Sequence, residues 1–132
     1  MAGHFTASWM APYALAALRI MSGLLFMAHG TMKVLGFPAS DSGLPPLTSL
    51  PGIAGFFELV GGLLIALGLF TRPAAFVCSG VMAFAYFLAH APQNFFPVLN
   101  GGDAAILYCF VFLYLAVAGA GALSLDARRG AA

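Results

Sequence analysis

Five titratable side chains stand out in an otherwise apolar chain: His29, Lys33, Glu58, His90 and Asp103. Together they offer imidazoles, an ammonium donor and carboxylate acceptors, the groups needed to hold a carbonyl or hydroxyl and to move its proton. His29 and Lys33 are four residues apart and so share one face of a helix. The set includes metal-ligand types, yet no spacing matches a metal-binding signature, and the two histidines fall at different depths for a haem pair. No phosphate-binding glycine loop or dinucleotide fingerprint is present. Cys78 and Cys109 form no Cys-x-x-Cys and lie at different depths in their segments, which argues against a disulfide and against dithiol chemistry.

What must position these residues follows from composition. Hydrophobic residues make up 62% of the 132-residue chain and charged residues 7%, against roughly a quarter charged in soluble domains. Water cannot solvate most of such a surface, and lipid can. The length allows one domain, 1–132. Four apolar segments cover about 12–33, 52–70, 73–91 and 102–123, each close to the ~20 residues that cross ~30 Å of hydrocarbon as a helix. Backbone groups in lipid must be satisfied within the segment, and the alternation of a barrel strand is absent. The expected fold is therefore an all-α membrane protein, a four-transmembrane-helix bundle.

Basic residues suggest its orientation. Arg72 lies between the second and third segments, and Arg128 and Arg129 lie in the tail, whereas the other two connections carry no Lys or Arg beyond Lys33 at a boundary. The positive-inside rule then puts both termini and the 71–73 turn in the cytoplasm, with loops 37–51 and 92–102 outside. Phe95 and Phe96 are expected at the outer interface and Trp9 at the inner one. Met1 to Trp9 lacks the basic start and cleavage site of a secretory signal, so the first segment is expected to be retained. A net charge of +1 with scattered basic residues gives no footprint for nucleic acid.

Depth then brings the titratable groups together. At ~1.5 Å per residue, Lys33 ends the first span on the outer side, His29 sits about 6 Å deeper, and Glu58 about 9 Å into the second span. His90 ends the third span on that side and Asp103 begins the fourth. A charge at mid-membrane costs roughly 2.5–3.5 kcal/mol on insertion scales, so these groups are expected to pair or to line a wet cavity, Glu58 with Lys33 or His29. Lys33, His90 and Asp103 are also near enough to helix ends to reach headgroups. Arg19, on the inner half, is expected to snorkel or to tie a helix end. Gly23 and Gly30, and the Glu58-Gly62 face, mark close helix packing.

The residues LRIMSGLLFMAHGTMKVLGF, Glu58-Leu59-Val60-Gly61-Gly62, Leu67-Gly68-Leu69, Thr71-Arg72-Pro73-Ala74, His90, Asn100-Gly101-Gly102, Gly119-Ala120-Gly121 and Ser124-Leu125-Asp126 resemble the DoxX family of small four-span membrane proteins. The likeness runs from Arg19 to Asp126, with Asp103 where the family pattern suggests Glu. It implies a bacterial inner-membrane protein associated with redox systems, such as a subunit of thiosulfate–quinone oxidoreductase or proteins of quinone and thiol stress responses. It also implies that Arg19, His29, Lys33, Glu58 and His90 are the family's polar positions.

The leading expectation is a quinone or quinol pocket in the outer half of the bundle, lined by His29, Lys33, Glu58, His90 and Asp103. His29, Lys33 and Glu58 are the candidates for chemistry. With no flavin, haem or metal site evident, a redox partner subunit would carry the electrons. The alternative is a non-catalytic accessory subunit that packs in and stabilises a larger membrane complex; a carrier of a small lipophilic molecule would use the same cavity. The partners expected are the lipid bilayer, a redox subunit or larger complex, and further copies of the chain in a homo-oligomer.

Overall fold

A computed structural model describes residues 7–132; residues 1–6, part of the stretch read as lacking a cleavable signal, lie outside that range. All the regular structure among the described residues is helical, with no strand. After a 3₁₀ turn (Ser8–Met10) come α1 (Ala11–Val34), α2 (Leu50–Leu67), α3 (Thr71–Ala85, continuing as a π-helical turn Tyr86–His90), the short α4 (Pro97–Asn100), α5 (Asp103–Ala118) and the short α6 (Leu125–Arg128). Three helical stretches, Ser8–Val34, Leu50–Leu67 and Thr71–His90, are long and apolar enough to cross a membrane. The fourth apolar helix is shorter, at 16 residues.

Glycines decide how the first two helices meet. An added Cβ on Gly23 would lie 2.7 Å from Ala66 N, one on Gly62 2.7 Å from Met27 N, and one on Gly30 would overlap the backbone of Leu59. These pairs run in opposite directions along the chain, so α1 and α2 form an antiparallel hairpin in backbone contact, as small residues allow in membrane bundles. The α3–α5 pair is antiparallel as well: the Ser79 hydroxyl donates to Cys109 O at 2.7 Å, and Arg72, at the start of α3, donates to Ala116 O and Val117 O at the end of α5. Phe26 joins the hairpins, with its ring 4.8 Å from that of Phe112 and 5.3 Å from that of Tyr108. Ile65, Cys78, Met82 and Leu115 complete the core. Leu25, Phe76, Phe110 and Val117 point outward, each more than half exposed in the isolated chain. So much apolar surface suits hydrocarbon and not water.

Two expected boundaries move. Gly68, with φ 67°, closes α2 at Leu67 instead of residue 70, as Gly68 N donates to Ile65 O (3.1 Å) and Leu69 N to Leu64 O (2.9 Å). The fourth segment stops at Ala118, not 123, because Gly119 adopts φ 86° and the chain leaves the helix. Residues 119–123 are irregular yet partly buried, with Ala120 1% exposed. Irregular backbone in an apolar setting needs polar partners from the protein.

Arg19 supplies them. Fully buried, it does not snorkel as one reading of the sequence held; it ties helix ends, as the other held. Its Nε donates to Ala120 O (2.8 Å) and Nη2 to Leu123 O (2.9 Å) and Ala122 O (3.2 Å). Nη1 donates to Ile65 O (3.0 Å) and Ala66 O (2.7 Å), carbonyls at the C-terminal end of α2. A cation there also complements the negative end of the helix dipole. Asp126 does the converse for α3, its carboxylate accepting from the backbone N–H of Phe70 (3.0 Å) and Thr71 (2.9 Å). Burial raises the Asp126 pKa, but the Thr71 and Phe70 N–H groups and nearby Arg129 outweigh it and hold the carboxyl below its ordinary range.

Candidate functional site

Fourteen residues separate Arg19 from Lys33 on α1, about 21 Å along the helix axis, so a second polar group occupies the opposite end of the bundle. Its centre is an ion pair between α1 and α2. Lys33 Nζ lies 2.9 Å from Glu58 Oε1, and Glu58 is only 4% exposed. Gly30 and Gly55 make this possible. Gly30 lets α1 reach the backbone at Glu58 and Leu59, and a Cβ at Gly55 would sit 2.7 Å from Lys33 Cβ. Glu58 could pair with Lys33 or with His29 on sequence grounds; the structure selects Lys33.

The second carboxylate oxygen, Glu58 Oε2, is buried without a hydrogen-bond partner. A buried acceptor left unsatisfied costs roughly 1–3 kcal/mol, more when charged. Rotation about the soft terminal torsion of glutamate exchanges the two oxygens, so one of them lacks a donor in either orientation.

Around this pair lies a cavity of about 590 Å³ to which α1, α2, α3 and α5 all contribute. His29, Lys33, Glu58 and His90 line it; Asp103 does not. Asp103 is the first residue of α5, exposed at the helix start, where it complements the helix dipole instead of capping with its side chain. The expected five-residue cluster is thus four residues. His29 is itself exposed at the cavity rim, its ring edge-on to Tyr108 at 6.1 Å between centroids. No hydrogen bond engages its ring among the described residues.

His90 is held differently. Its Nδ1 lies 3.0 Å from Asn100 O; a carbonyl only accepts, so in the neutral ring Nδ1 carries the hydrogen and Nε2 is left as an acceptor. Asn100, 4% exposed, donates to Tyr86 Oη (3.2 Å) and Asn94 O (3.0 Å) and accepts from Gly102 N (2.8 Å). Every polar atom of its amide therefore fixes the loop that carries it. His90 also ends the π-helical turn, a distortion that recurs at functional sites. In the sequence Asn100 stands out only within the Asn100-Gly101-Gly102 stretch of the family likeness, and Tyr86 and Tyr108 do not stand out at all, since an aromatic in an apolar span reads as packing.

The remaining lining is apolar. Ile53 and Phe57 on α2 and Phe84 and Leu88 on α3 line the cavity and are also exposed, from 40% at Phe57 to 71% at Phe84. The cavity therefore opens sideways between α2 and α3, with its charged groups against α1. The cavity is thus polar at its inner end and apolar at its open side. Among the described residues, no three of His, Cys, Asp and Glu stand close enough to hold a metal. Both cysteines are free, Cys78 buried in the core and Cys109 half-buried beside Ser79.

A family model described as DoxX matches residues 14–91. The chain is 48% identical over 120 residues to an uncharacterized protein of Haemophilus influenzae, covering 87% of this chain and 90% of that one. It is 31% identical over 134 residues to the inner membrane protein YphA of Escherichia coli, covering 89% and 91% respectively. No solved structure matches.

Proposed function

Since this chain belongs to the DoxX family, we propose that it is a multi-pass protein of the bacterial inner membrane that binds a quinone or quinol beside Glu58. The location follows from the relative named as an inner membrane protein and from the apolar helices. In this reading α5 and the irregular stretch after it make a fourth crossing, both termini are cytoplasmic, and the cavity lies in the outer half.

One observation carries the proposal: a paired but incompletely satisfied carboxylate, Glu58, in an apolar cavity that opens sideways. A quinone ring needs an apolar slot, donors at its carbonyls and an acceptor for the protons its reduced form gives up. Lys33 and His29 serve as donors, Glu58 as acceptor, and His90 through Nε2 as a second acceptor at the far wall. When a quinol is oxidised, its two electrons pass to the redox centre of a partner subunit, one of its two protons passes to Glu58 and the other to Nε2 of His90.

Mass spectrometry of lipids extracted from the purified protein tests this. Stoichiometric quinone is expected with the wild type and a loss of at least tenfold in Glu58→Gln and His29→Ala. A wild type without quinone would overturn the proposal. The alternative, an accessory subunit, draws on the Lys33–Glu58 pair as a pin between α1 and α2. Unchanged quinone content in both variants, with loss of a co-purifying subunit, would favour it.

A further inference from the structure

The donor and acceptor balance around Glu58 distinguishes two oxidation states of the same ring. A quinone oxygen only accepts hydrogen bonds, whereas a quinol hydroxyl donates one and still accepts. At the inner wall of the cavity Lys33 is partly exposed, with one proton on Glu58 Oε1 and others free for headgroups or water. Glu58 Oε2 has no such recourse, being buried with no partner. The unmet need is for a donor.

We infer that the cavity selects the reduced form, a quinol whose hydroxyl donates to the free oxygen of Glu58 while accepting from Lys33. This rests on the reading of the cavity as a quinone or quinol site and adds which form it holds. A quinone there would satisfy Lys33 and leave the carboxylate oxygen as it stands, or set its own carbonyl oxygen against it. Hydrogen bonds to ionised groups are about twice as strong as those between neutral ones, so the difference falls almost wholly on this one contact. His90 at the far wall acts in the same sense, because Nε2 of its neutral ring also accepts.

The test compares three probes on the detergent-purified protein under anaerobic conditions: a decyl-substituted benzoquinol, the matching benzoquinone, and the dimethyl ether of the quinol. The quinol is expected to bind at least tenfold tighter than the quinone, and the ether, which keeps the ring and loses the donors, no tighter than the quinone. A tenfold preference raises the midpoint potential of the bound couple by about 30 mV. In Glu58→Gln, whose amide nitrogen donates, the preference should shrink or reverse. Equal affinity for quinol and quinone, or an ether as tight as the quinol, overturns the inference and leaves the quinone reading standing. Failure of all three probes to bind overturns both. The ether comparison needs only the wild type, so the outcome does not depend on the variant folding.

Discussion

Arg19 and Glu58 are both charged residues buried in an apolar bundle, and they differ in how far their needs are met. Arg19 gives hydrogen bonds to five carbonyls, whereas Glu58 keeps one oxygen free. Complete satisfaction points to architecture, and incomplete satisfaction to a ligand. Arg19→Met should therefore destabilise the protein severely, since several buried carbonyls lose their donors at roughly 1–3 kcal/mol each; detergent melting should show loss of folded protein or a collapse of the midpoint. Arg19→Lys keeps the charge but not the fork of donors, and should recover only a small part. A melting temperature unchanged in Arg19→Met would refute the role given to this side chain.

At the scale of elements, helix ends account for most of the polar structure. Asp126 caps α3 while Arg19 caps α2, so the turn between those helices is bound from one side by α1 and from the other by the segment after α5. The Asp126 carboxyl is depressed below its ordinary 3.8, so its contribution is complete above that value and is lost as pH falls through the lower folded-state value. Melting followed from pH 7 toward pH 2 should show an acid limb that is flattened in Asp126→Asn, and Asp126→Ala, which removes both acceptors, should lose about 1–2 kcal/mol at neutral pH, as for other helix caps. The apolar spans were legible in the sequence because composition alone sets them. The end of α5 was not, because Gly119-Ala120-Gly121-Ala122 is as apolar as the helix before it, and its stop depends on a left-handed glycine and on an arginine a hundred residues away. Depth arithmetic puts Lys33, Glu58 and His90 at one level, and they line one cavity, but it gives height along a helix and not direction around it. For that reason Asp103 was grouped with residues it does not join, and Tyr108 was left out.

The whole molecule is polarised, with a closed end around Arg19 and Asp126, where the Thr71 hydroxyl alone among the described side chains is buried without a partner, and an open end around Glu58. On the proposed topology the closed end faces the cytoplasm. A fluorescent protein fused after Ala132 should then be bright and alkaline phosphatase at the same position inactive, with the opposite result for a fusion inserted in loop 37–51. Active phosphatase at the C-terminus would reverse the orientation and place the cavity in the inner leaflet. The lengths of the helices carry a consequence for the surrounding lipid. At 24 residues α1 measures about 36 Å, and at 16 residues α5 measures about 24 Å, so on the proposed topology, with residues 119–123 completing the fourth crossing, a bilayer of uniform thickness cannot match the helical part of both flanks. The long flank must tilt, and the leaflet beside the short one must dip toward the midplane, giving the protein a lopsided annulus that should favour shorter acyl chains on the α5 side.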